Sequence, residues 1–349
     1  MAATLKEIAK RAKVSMATVS LALNKKPGVG NETRERIFQI AREMEYGEPR
    51  RESFGANTNG TIRFLKIAVH GHTVNRDHDV FIADYIEGLT RGASENKYNL
   101  EISSFSGKSA EHIVESLTGS NLRGAVILGT ELSAEDIQTI GTIKLPIVFL
   151  DTYHDFLDFD FVDMNNIDAV YGIVSYFVEN GHREIGLVRS GVNTHNFELR
   201  DRGFHWAVKA LGIVLKETEI YTVDSTFDGA YRDMLGYLKR RSKLPTALFC
   251  TNDIIACGCM KALRESGFGV PNDVSVVGFD DLPLASITEP PLTTMKVSKG
   301  QIGRLAIERL VYRINNGVSI PSVKIQVGGS LVVRSSVRNL SATESSPRL

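Results

Sequence analysis

The stretch His70-Gly71-His72-Thr73-Val74-Asn75-Arg76-Asp77-His78-Asp79 gathers three imidazoles, a guanidinium and two carboxylates within ten residues. A neutral imidazole can ligate a metal, and a protonated one can hold an anion. On an extended segment His70 and His72 share a face, because strand side chains alternate with a period of two. A third ligand at metal-site spacing is missing. Three uses stay open: hydrogen-bonded structural histidines, contacts to a bound small molecule, or a metal site. Cys250, Cys257 and Cys259 offer no paired Cys-x-x-Cys spacing, so reduced, partly buried thiols are expected rather than a disulfide or zinc. No nucleophile elbow, phosphate-cradling glycine loop or metal-ligand set stands at a strand end, so neither an enzyme nor a cofactor is expected.

Charge separates two parts of the chain. Residues 1–51 carry 11 Lys/Arg against 6 Asp/Glu, and the remainder 30 against 35. A basic head on an acidic body points to a polyanion as partner of the head. No run approaches the roughly 20 apolar residues of a membrane span, and Met1 to Lys13 lacks a signal-peptide hydrophobic region, so a cytoplasmic protein is expected.

The head must position its chemistry on helices. Thr4-Leu5-Lys6-Glu7 reads as a capping box, and Ser15 as the N-cap of a second helix running to about Asn24. From Asn31 a third helix carries Ile37, Ile40, Ala41 and Met44 as one apolar stripe. Two short helices across a tight turn with a third covering them fit a helix-turn-helix, whose second helix enters the major groove. Met16, Ala17, Ser20, Leu21 and Asn24 are the outward candidates, with Thr4 and Ser15 at the helix starts. Thr18, Lys25, Lys26 and Arg34 can reach phosphates, while Val19 and Leu23 face the core. A three-helix protein-binding head is the alternative.

Gly47, Pro49, Gly55 and Gly60 break the pattern over residues 48–62, which reads as a linker after a head of residues 1–47. From Phe64 apolar runs (65–69, 100–105, 125–128, 147–150, 185–188, 220–223, 247–250 and 274–277) alternate with amphipathic helices. That alternation predicts parallel sheets covered by helices. Over residues 63–340 two doubly wound lobes are expected, one about 63–164 and 296–325, the other about 165–295 and 326–340, with a polar tail at 341–349. Ligands of such lobes bind beyond strand C-termini. Trp206, on an amphipathic helix, reads as a packing residue.

The head motifs, Thr4-Leu5-Lys6-Glu7-Ile8-Ala9, Val14-Ser15-Met16-Ala17-Thr18-Val19-Ser20, Leu23-Asn24 and Val29 to Arg34, resemble the lactose-repressor (LacI/GalR) family. The body resembles it too, at Gly181-His182-Arg183-Glu184-Ile185-Gly186, Asn252-Asp253, Val270-Pro271-Asn272-Asp273 through Asp280-Asp281, Pro291-Leu292-Thr293-Thr294 and Leu331 to Ser335. The resemblance implies a helix-turn-helix head on a periplasmic-binding-protein-like body, and a homodimeric regulator of operator double-stranded DNA with an effector between its lobes. It implies base reading at Met16, Ala17 and Leu21, although Leu21 stands where arginine is common and Gly30 replaces a usual serine cap. An apolar trio favours thymine methyls over guanine. The family's minor-groove hinge helix has no match here, and Phe54 is offered as a replacement wedge.

Matched one by one to the family's motifs, Phe81, Asp151, Arg200, Asn252 and Asp280 become effector candidates, and their chemistry suits a hydroxyl-rich ligand such as a sugar. Should His72 or Arg76 join Arg200, an anionic effector, a sugar acid or sugar phosphate, would be favoured. The rival readings are a corepressor-type regulator taking a nucleobase-like effector and a periplasmic solute-binding protein. The missing signal peptide and the basic head speak against the second.

Overall fold

The computed structural model describes residues 5–23, 29–43, 58–74, 76–240, 243–317 and 319–341. The chain divides into two compact units, Met1–Thr58 and Asn59–Leu349.

In the first unit, α1 (Leu5–Ala12), α2 (Met16–Leu23) and α3 (Asn31–Glu43) enclose a small core of Ile8, Ala9, Ala12, Val19, Ala22, Ile37 and Ala41. The turn between α1 and α2 is made by Lys13 in the left-handed region (φ 55°), with the Val14 amide bonded to the Ala9 carbonyl at 3.1 Å. That reversal lets α2 start at once instead of prolonging α1.

The second unit holds two six-stranded sheets. The first is entered by β1 (Thr61–Ala68), α4 (Asp79–Glu95), β2 (Asn99–Ser106), α5 (Ala110–Leu117), β3 (Leu122–Leu128), α6 (Ala134–Ile140), β4 (Ile147–Leu150) and β5 (Phe161–Met164). The chain then crosses into the second lobe. There it forms α7 (Asn166–Glu179), β6 (Ile185–Ser190), α8 (His195–Ala210), β7 (Ile220–Val223), α9 (Phe227–Leu238), β8 (Ala247–Cys250), α10 (Asp253–Glu265), β9 (Ser275–Asp280), α11 (Pro283–Ile287) and β10 (Thr293–Lys296). It returns through α12 (Lys299–Asn316) and β11 (Lys324–Val327), then crosses a third time to β12 (Ser330–Val332).

Strand orders are β11-β5-β4-β3-β1-β2 and β12-β10-β9-β8-β6-β7. In both sheets the first strand lies between the second and third, so connections diverge there and leave a crevice at the strand C-termini. Every pairing is parallel except β10 with β12. That exception follows from the path: the parallel strands end at the cleft, whereas β12 starts from it.

Several boundaries differ from expectation. β1 begins at Thr61, inside the expected linker, Lys296 still belongs to the second sheet, and β11 carries the first sheet to Val327 instead of 325. β5, β10, β11 and β12 fall outside the apolar runs read from the sequence. They are only three or four residues long, and β5 carries a fully buried carboxylate, Asp163, within an apolar run. Trp206 is 56% exposed and meets the Tyr171 ring at 5.4 Å, so it is a surface contact rather than a core residue.

Candidate functional site

In the head, Ser15 caps α2, its Oγ accepting from the Thr18 amide at 3.1 Å and lying 2.9 Å from the Thr18 hydroxyl. Val19 and Ala22 are fully buried, which turns the opposite face of α2 outward. Met16, in its first turn, is 54% exposed. An exposed thioether at a helix start is costly for solubility and suited to apolar contact with a groove. Arg34, expected at phosphate, donates to the carbonyls of Ala22 (3.1 Å) and Val29 (3.4 Å), tying α3 to the end of α2. Thr4, Asn24, Lys25 and Phe54 lie outside the described residues, as do the side chains of Ala17, Ser20 and Leu21. Ser15→Ala should cost the head about 1 kcal/mol, because it orphans the Thr18 amide. Thermal unfolding followed by head-specific NMR signals checks this.

In the body, Phe81, Asp151, Arg200, Asn252 and Asp280 line one buried cavity, together with Thr73, Val74, His78, Thr130, Asn196 and Phe197. Each sits where strand order requires. Asp151 follows β4, Asn252 caps α10 after β8, Asp280 ends β9, Phe81 comes from the first turn of α4 and Arg200 from the second turn of α8. Asp151 (φ 58°) and Asp280 (φ 109°) hold left-handed backbone conformations uncommon for side-chain-bearing residues, which re-aim the chain at the strand ends.

Arg200 organises the second-lobe wall. Its Nε donates to Asn166 Oδ1 at 2.9 Å, Nη1 to the Thr251 carbonyl at 2.6 Å and Nη2 to Asp280 Oδ1 at 3.3 Å. Its guanidinium also stacks over the Phe279 ring, 3.8 Å from the centroid. Across the cavity Asp151 accepts from the hydroxyls of Tyr85 (2.8 Å) and Thr130, and Asn196 donates to it from the second lobe at 3.3 Å. Burial pushes Asp151 up to about 6, although the Thr130 and Tyr85 hydroxyls oppose the rise. Burial likewise raises Asp280, against the pull of Arg200, and lifts Asp163 well above the carboxylate range. One guanidinium therefore faces several buried carboxyls, a surface that accepts hydrogen bonds from hydroxyls. The cavity measures about 40 Å³. Ligand pockets run to about 300–1,000 Å³, so the lobes must part to admit a small molecule of that class.

The histidine-rich stretch divides. His78 lines the cavity, its Nε2 lying 3.2 Å from Asn252 Nδ2 of the other lobe, and burial lowers its pKa, favouring the neutral ring. His72 is exposed and away from the lining, and the Arg76 side chain lies outside the described residues. His70 and His72 rings stand 5.4 Å apart, and His70 Nδ1 is 3.3 Å from Glu131. Among the described residues no group of three His, Cys, Asp or Glu is placed to hold a metal, and the three cysteines are buried free thiols. Sequence reasoning passed over Thr130, Asn196 and Glu131, and noted His78 only as one imidazole of the histidine-rich stretch. His78 alone carried a signal, a histidine just before the helix that bears Phe81.

A second contact between lobes was equally unforeseen. His154, in the loop after β4, stacks on His195 of α8 with centroids 4.3 Å apart and ring planes within 19°. Burial, then the neighbouring His195, lowers His154 to about 4, and burial lowers His195 against the pull of Glu198. Both values lie below the ordinary 6.5, so the folded form resists protons that the unfolded chain takes up. This pair's contribution to stability should therefore be constant above pH 6.5 and fall as pH drops from there toward 4, by about 1 kcal/mol after allowing for solvent screening of these partly buried rings. The difference in thermal midpoint between wild type and His154→Phe across that window checks it; the variant should keep the stack and gain on the wild type as pH falls.

Comparison with known proteins places this geometry. Residues 4–48 match the model for bacterial regulatory proteins of the lacI family, and residues 174–337 that for a periplasmic binding protein-like domain. The chain is 30% identical over 320 residues to the ribose operon repressor of Haemophilus influenzae, covering 90% of this chain and 92% of that one. It is 28% identical over 350 residues to the HTH-type transcriptional repressor PurR of the same species, covering 97% and 99%. The crystal structure of the lac repressor dimer bound to operator and the anti-inducer ONPF superposes with a TM-score of 0.70 at 24% identity, over 97% of this chain and 100% of that one. A three-helix groove-reading head followed by a two-lobed α/β body defines a DNA-binding transcriptional regulator. This chain belongs to the lacI family of bacterial regulatory proteins. Among the described residues no helix is long and apolar enough to cross a membrane.

Proposed function

We propose that the protein is a cytoplasmic homodimeric repressor that holds operator DNA through α2, with Met16 against the bases, and that a neutral, hydroxyl-rich effector closed between the lobes sets its affinity. The observation that carries the effector reading is the convergence of Asp151, Arg200, Asn252 and Asp280 with Phe81 around one buried cavity. Charge argues against the anionic effector considered from the sequence. His72 is not in the lining, and Arg200 already serves Asn166, Thr251 and Asp280. An incoming anion would meet the buried carboxyls at close range. Hydroxyls, by contrast, can donate to Asp151 and Asp280 and accept from Asn196 and Asn252.

The ribose operon repressor among the relatives favours a pentose. The PurR relatives, with Phe81 and Phe197 both in the lining, favour a second reading in which a planar nucleobase acts as corepressor. A thermal-shift panel of neutral pentoses and hexoses, their phosphates and purine bases separates these, followed by operator binding with and without each stabilising compound. Stabilisation by sugar phosphates alone would overturn the neutral-effector reading. Operator affinity should fall at least about tenfold between 50 and 200 mM salt, because the basic head displaces condensed counterions. Fluorescence anisotropy with duplex DNA measures that fall.

A further inference from the structure

The Glu131 carboxylate, fully buried just after β3, is held by one short loop. Its Oε2 accepts from the amides of Val69 (2.8 Å), His70 (2.9 Å) and Gly71 (2.9 Å). Its Oε1 accepts from the amides of Thr73 (2.8 Å) and Val74 (2.7 Å) and from the Thr73 hydroxyl (2.9 Å). Burial by itself would raise this carboxyl; the amide bonds outweigh it and hold the pKa at about 2. Gly71, at φ 72°, supplies the left-handed residue that lets successive amides converge on one point. The charge thus fixes the curvature of Val69–Val74.

The same loop touches the effector cavity and the opposite lobe. Thr73 and Val74 are in the cavity wall. The His72 carbonyl accepts from Ser225 Oγ at 2.8 Å, and Ser225, fully buried between β7 and α9, belongs to the second lobe. The loop is therefore a strap, clamped along both flanks by Glu131 and hooked at its middle, His72, by Ser225. We propose that Glu131 is a positioning residue for effector control: by shaping Val69–Val74 it holds the strap across the cleft and sets how readily the lobes close, without touching the effector. This rests on the reading of the cavity as the effector site.

Hydrogen exchange followed by mass spectrometry on the full-length chain, with no small molecule added, tests it. In Glu131→Gln the side-chain amide turns donors toward the loop amides, so Val69–Val74 should exchange about tenfold faster or more. The deciding segments are Thr194–Phe197 and Thr251–Asn252, which face the cavity from the second lobe and lie outside the strap. They should also exchange faster, by about threefold or more, while β3 and β8 stay unchanged. Ser225→Ala should accelerate the same second-lobe segments and leave the Glu131 cradle protected. Unchanged exchange at Thr194–Phe197 and Thr251–Asn252 in both variants would reduce Glu131 to a local brace and overturn the proposal. If Glu131→Gln fails to fold, Ser225→Ala decides by the same segments. The effector reading stands or falls separately, on the thermal-shift panel.

Discussion

Arg200→Met should destabilise the body by about 3–5 kcal/mol and leave the regulator unresponsive to its effector. The substitution keeps the stem's apolar bulk over Phe279 while removing the charge, so lost packing contributes little. What is lost is the guanidinium paired with Asp280, both side chains being about 95% buried, which leaves Lys299, its Nζ bonded to the Asp280 main-chain carbonyl, to offset that carboxyl only in part. Breaking a buried pair by deleting one partner is far costlier than the pair is worth, since the remaining charge is left under-compensated in a low dielectric. Asn166 and the Thr251 carbonyl also lose their donors. The carboxyl can escape by taking a proton, so the cost should shrink at low pH; a loss that is the same at pH 5 and pH 8 would contradict this account. For a unit of this size the thermal midpoint should drop by about 10 °C at neutral pH. Operator affinity in the absence of effector should change much less, because the head's core draws on none of these residues.

The second large effect is expected far from any charge. α4 and α12 approach closely along Gly88, Gly300 and Gly303. A methyl group on Gly88 would lie 2.1 Å from the Gly300 carbonyl oxygen, and one on Gly303 2.6 Å from the Tyr85 carbonyl oxygen. These obstacles are backbone, so no rotamer change relieves them and the helices must separate. Gly88→Ala should therefore cost about 3 kcal/mol, at the upper end of overpacking, despite alanine's better helix propensity. Because α4 carries Phe81 and the Tyr85 hydroxyl that holds Asp151, effector binding should weaken with it. Gly236, on α9, is the control, since a methyl group there meets nothing within 4 Å. Gly236→Ala should be neutral or stabilising by up to about 1 kcal/mol. Equal losses at both positions in thermal or urea unfolding would refute the helix-contact explanation.

Local patterns in the chain determined a good deal unaided. The N-cap at Ser15, the apolar stripe of α3 and the turn at Lys13 are signals carried by a few neighbouring residues, and the helices form where those signals stand. Strands such as Ile147–Leu150 and Ala247–Cys250 are apolar runs buried on both faces, legible because a parallel sheet demands that composition. The five residues that the structure gathers around one cavity came instead from the resemblance to the lacI family, matched motif by motif. Only the tertiary structure decided which side chains face each other across the lobes. His78 meets Asn252 174 positions away, Ser225 reaches His72 across 153, and Glu131 collects its loop from about 60 residues upstream. Such pairings leave no period in the sequence, because a contact between strand ends depends on sheet order and crossover path rather than on spacing along the chain. The same holds for Gly88 and Gly303, whose missing side chains look like weak helix positions until a second helix is laid against them.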